Sequence, residues 1–180
     1  MAEQTSAKES NAALIAAIEE MRKDFKPETQ NKVINLALRA TFIVPALIEK
    51  NTELVADEEN HVKFEDKQKA KFILVNHKER GAFFPVFTDP EEAEKLKTEQ
   101  PHQTFAMKFA DIATLTERTP NVNGFVINPF HQNLPFTKEM LESIKQTLIK
   151  IKEAQEAKQA ENAGEGDSKP DITVSSNNEE

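Results

Sequence analysis

A chain of 180 residues that is 38% hydrophobic, 30% charged and 7% aromatic has the proportions of one soluble domain with some solvated excess, which excludes a fibre and a multidomain enzyme. Its formal net charge of −8 is concentrated beyond Lys150, and the densest basic cluster, Lys63, Lys67, Lys69 and Lys71, is interleaved with Glu65 and Asp66, so neither nucleic acid nor an anionic membrane is an expected partner. The absence of cysteine removes disulfides, thiolate metal sites and cysteine nucleophiles.

Residues 1–9 are small and polar and are expected to be disordered. An N-terminal helical segment is expected over residues 10–40. After Ser10, a suitable N-cap, the residues Leu14, Ile15, Ile18, Met21 and Phe25 recur at three- and four-residue spacing. Pro27 ends that stripe and starts a second helix carrying Val33, Ile34, Ala37 and Leu38. The body of the domain is expected over residues 41–160. Its first strand is Thr41 to Glu49, with Pro45 at an edge or a bulge, followed by a solvated acidic loop over residues 51–60. Two further strands, Lys71 to His77 and Ala82 to Phe87, form a hairpin turned by Gly81. Asp89 or Thr88 then caps a short helix from Pro90 to about Lys97.

A fourth strand is expected at Thr104 to Phe109, a brief helix at Asp111 to Arg118, and a buried strand at Gly124 to Asn128 that Pro129 breaks. Asn133 to Phe136 reads as a short edge strand. Thr137 caps a last helix striped by Met140, Leu141, Ile144, Leu148 and Ile151. Residues 161–180 hold too few apolar side chains to offset chain entropy and are expected to be a disordered acidic tail. The predicted fold class is α+β: a single mixed sheet of about five strands with flanking helices.

Chemistry-bearing motifs are scarce. The four histidines, His61, His77, His102 and His131, lack the mutual spacing of a metal site, so no metal is expected. Four glycines, two of them near the C-terminus, supply no phosphate-cradling loop or nucleophile elbow, and no cofactor or catalytic residue is expected. His131 stands out because it lies in a loop between a buried strand and an edge strand. Phenylalanine is the enriched aromatic, with twelve copies and no Tyr or Trp, and a Phe-rich core is the simplest use for it. Met1 to Thr5 show no secretory pattern, and the longest apolar stretches fall short of the roughly 20 residues a membrane helix needs, so the protein is expected to be cytoplasmic.

The order of the motifs says more than their types. Gly81-Ala82-Phe83-Phe84-Pro85-Val86-Phe87-Thr88-Asp89-Pro90-Glu91-Glu92, followed by Gly124-Phe125-Val126-Ile127-Asn128-Pro129-Phe130, resembles the SseB N-terminal domain family, the enhanced serine sensitivity proteins. The resemblance takes in Phe42 to Pro45 and the helix after Asn133, about residues 33–150, and leaves the N-terminal helix pair outside. It implies a small bacterial α+β domain without an established catalytic activity, and it carries over no catalytic residue. Two readings of function remain open. One is a non-enzymatic protein acting through protein–protein contacts, with an unknown protein partner or by self-association, using a sheet edge or the N-terminal helices. The other is a small-molecule-binding or enzymatic domain with a site at Thr88, Asn128, His131 and Asn133, polar groups at strand ends beside the Phe-rich interior.

Overall fold

The structure is a computed structural model that describes residues 2–56 and 62–164. The chain divides into two units, Met1–Leu141 and Glu142–Glu180. The first holds the fold proper. In it, α1 (Ala2–Lys23) and α2 (Pro27–Arg39) precede β1 (Thr41–Ala56), β2 (Val62–Phe72), β3 (Val75–His77), β4 (Gly81–Val86), α3 (Pro90–Ala93), β5 (Gln103–Lys108), α4 (Phe109–Arg118), β6 (Val122–Ile127) and β7 (Leu134–Thr137). The last helix, α5 (Lys138–Gly164), starts in the first unit and runs into the second, with Met140 N–H donating to Thr137 Oγ1 at its start (3.3 Å).

The α+β class holds, but the expected single sheet of about five strands does not. Seven strands form two sheets, one ordered β2-β1-β5 and one ordered β3-β4-β6-β7. The reason lies in Lys71 to His77, which reads as one continuous β run. The Ile73 N–H still donates to Pro45 of β1 (3.1 Å), whereas Val75 already pairs with Phe83 of β4, so the chain changes sheets at the exposed Leu74. The expected hairpin survives only as β3 and β4, with Gly81 at φ 81°. A bridge between Ile43 and Phe87, bonded both ways at 2.8 and 2.9 Å, ties the sheets together.

Four further expectations change. β1 and β2 pair in unbroken antiparallel register from Ala46↔Phe72 to Ala56↔Val62. Residues 51–56 of the expected acidic loop are therefore strand, and residues 57–60 lie outside those described. Register continuity outweighs local acidity here. Pro45 sits in the central strand of its sheet, not at an edge or bulge. Residue 1 lies outside the described residues, residues 2–9 of the segment expected to be disordered are helical, and Ser10 stands inside the helix instead of at its cap. Ala2, Glu3, Gln4, Ala7, Lys8 and Glu9 are all good helix formers. At the other end residues 161–164 are helical, and 165–180 lie outside the described residues.

Spacing predicts part of what is buried: the expected stripe residues Phe25, Leu148 and Ile151 are exposed. Leu14, Ala17, Ile18 and Met21 of α1 and Val33 and Ala37 of α2 face inward. Phe125 stacks on Phe136 with centroids 5.2 Å apart, and Phe109 of α4 meets both rings edge-on at 5.3 Å. Each fully buried ring contributes about 1.5–3 kcal/mol of transfer free energy. That cluster lies against one face of the second sheet and fixes the strand ends where the polar residues gather. No helix among the described residues is long and apolar enough to cross a membrane.

Candidate functional site

β4 and β6 run parallel and end side by side, Val86 opposite Ile127. The residues that follow them, Thr88 and Asn128, thus meet although they are forty positions apart in the chain. Asn128 adopts φ 46°, a left-handed conformation that asparagine tolerates better than most residues. Its N–H continues the β4 pairing by donating to Val86 (2.9 Å), and its carbonyl accepts from the N–H groups of His131 (3.0 Å) and Asn133 (2.8 Å), which closes the loop.

The side chains of this pair are fully engaged. Asn128 Oδ1 accepts the Thr88 N–H (3.0 Å), and Asn128 Nδ2 donates to Thr88 Oγ1 (2.8 Å) and to Gln132 Oε1 (2.7 Å). Thr88 Oγ1 donates in turn to Asp89 Oδ2 (2.8 Å), while Asp89 Oδ1 caps α3 by accepting the Glu92 N–H (2.9 Å). Asn11 of α1 adds a clamp, its Nδ2 donating to the carbonyls of Thr88 (2.7 Å) and Thr41 (2.8 Å). Asn128 is 0% exposed and Thr88 4%. The two residues hold strand ends together, as buried polar groups with satisfied hydrogen bonds do. Asp89, not Thr88, is the helix cap.

His131 belongs to the same loop but faces another partner. Its Nδ1 lies 3.1 Å from Glu92 Oε1, which also accepts Lys95 Nζ at 2.6 Å, and 3.2 Å from Gln132 Nε2. When protonated at Nδ1 the imidazole donates to the Glu92 carboxylate, and over half of its side chain stays exposed. Glu92 itself is buried, and its Oε2 has no hydrogen-bond partner among the described residues.

Asn133 goes elsewhere. With φ 45° it turns onto the face of the second sheet, where it helps to line a groove of about 350 Å³. The floor is apolar, made by Val75, Phe83, Val126 and Pro135 from four neighbouring strands. Phe130 forms a wall, resting on the buried ring of Phe87 at 6.4 Å and remaining 52% exposed. The polar residues are Asn76, His77 and Arg80 from β3 and its turn. Of the four residues singled out from sequence, then, Thr88 and Asn128 bond to each other, His131 turns to Glu92, and Asn133 alone reaches the groove.

Sequence reasoning passed over Phe130 and Arg80. The available signal was an aromatic residue placed directly after Asn128-Pro129 in a loop, where burial has no strand to enforce it. No cluster of three or more His, Asp or Glu side chains able to hold a metal ion occurs among the described residues.

A family model described as SseB protein N-terminal domain matches residues 14–143. Searches of curated proteins and of solved structures return no match. The family match begins at Leu14, so it takes in the second half of α1 and all of α2, which the sequence resemblance, over about residues 33–150, had largely left outside. Within the matched residues, Leu14, Ala17, Ile18 and Met21 of α1 and Val33 and Ala37 of α2 are buried.

Proposed function

The chain belongs to the SseB N-terminal domain family, and from that premise we propose that it is a non-enzymatic bacterial cytoplasmic domain that binds a protein partner through the groove on its second sheet. One observation carries this reading: Phe130 is held half-exposed over an apolar floor by its stack on Phe87. Aromatic side chains placed this way are the usual anchors of protein interfaces. The N-terminal helices, an alternative contact surface, have already buried Leu14, Ile18, Met21, Val33 and Ala37 of their stripes, which leaves Phe25 as their exposed ring.

The test is affinity capture from an extract of the source cells by the intact chain and by Phe130→Glu. Phe130 is exposed enough for the variant to fold, which circular dichroism checks. A protein retained by the native chain and lost with the variant is the expected result. Identical capture profiles would overturn the proposal.

The second reading, a small-molecule or enzymatic site near Thr88, Asn128 and His131, has the His131–Glu92 contact in its favour. Against it, the polar atoms of Thr88 and Asn128 are spent on each other. On the binding-domain reading, His131→Ala leaves partner capture unchanged.

A further inference from the structure

The groove selects for charge as well as for shape. His77 Nδ1 lies 3.2 Å from the Glu79 N–H and 3.3 Å from the Arg80 N–H. Both of these are donors, so Nδ1 is the acceptor and the neutral ring carries its proton on Nε2. His77 therefore presents a donor, not a lone pair, at its remaining nitrogen. Among the described residues, the Arg80 guanidinium pairs with no carboxylate and no Asp or Glu lines the groove. In a chain of net charge −8, this is a donor-rich island above an apolar floor.

We propose, resting on the groove as the binding surface, that its occupant is a segment of a partner protein in which an Asp or Glu carboxylate lies within a residue or two of a large apolar side chain. The apolar group fills the space between Phe130 and the Phe83–Val126 floor, and the carboxylate meets Arg80 and His77 Nε2–H. Arginine suits this task because its planar fork matches the two oxygens of a carboxylate. The contact is solvent-accessible, so it weakens as salt is raised.

The experiment pans a phage-displayed heptapeptide library against the full chain. An enriched peptide is then titrated by fluorescence anisotropy against the native protein, Arg80→Gln and Phe130→Ala. The expected peptides share an acid beside an apolar residue. Replacing that acid by its amide, or Arg80 by Gln, weakens binding about tenfold or more, the usual effect of losing a charge-assisted hydrogen bond. Enriched peptides without an acid, equal binding by Arg80→Gln, or no enrichment at all would overturn the inference. The two levels separate through Phe130→Ala: if it weakens binding of a peptide to which Arg80 is indifferent, the groove stands and only its preference for acids falls. If neither substitution matters, the groove itself is wrong.

Discussion

Asn128 shows how a single residue carries several duties at once. Its left-handed backbone, three side-chain hydrogen bonds and two carbonyl contacts join β4, β6 and the loop that displays Phe130 and His131. Asn128→Ala leaves the Thr88 N–H and Gln132 Oε1 without their partner and puts a Cβ-bearing residue lacking Asn's local hydrogen bonds at positive φ. The expected loss is about 2–5 kcal/mol, from a buried unsatisfied group at about 1–3 and a left-handed residue at about 1–2. Urea denaturation measures it, and a loss under about 1 kcal/mol would show that this network is not what holds the strand ends. At this scale the sequence is half legible. Thr88 and Asn128 are recognisable as polar residues at strand ends, but their bond depends on two parallel strands ending in register, which no local pattern encodes. The same holds for His77, whose ring is oriented by two turn amides.

Among the elements, β6 is constrained most tightly at Gly124. A Cβ built there would overlap the carbonyl oxygen of Phe136 on β7, a backbone atom that cannot step aside. Gly124→Ala therefore has to push β7 away from β6, at a cost of about 3 kcal/mol or more. Because β7 carries Pro135 and leads from Asn133, the groove widens with it. Thermal denaturation together with peptide binding checks both effects, and an unchanged melting temperature would contradict the packing described. Element types were readable from periodicity: the α1 and α2 stripes, the Asp89-Pro90 helix start and the short β7 with its edge proline all follow local rules. Sheet membership was not. Lys71 to His77 looks uniform in hydrophobicity, and only the pairing of Ile73 with β1 and of Val75 with β4 divides it.

At the scale of the molecule, the Phe-rich core separates two kinds of surface. Phe109, Phe125 and Phe136 fill one side of the second sheet, while Phe83, Val126 and Pro135 floor the groove on the other. Enrichment in phenylalanine foretold a core, and it serves mainly there, but among the described residues Phe25, Phe105 and Phe130 are exposed, and of these Phe130 is the ring that walls the groove. Composition cannot distinguish that ring from the rest, because its exposure comes from the loop closed by Asn128. The central claim is that this outward face is the binding surface. Hydrogen–deuterium exchange on the intact chain, free and bound to its captured partner or to a selected peptide, tests it most directly. The account predicts slowed exchange confined to residues 75–80 and 129–135. Protection centred instead on the exposed edge strand β5 or on α2, with those two segments unchanged, would contradict it.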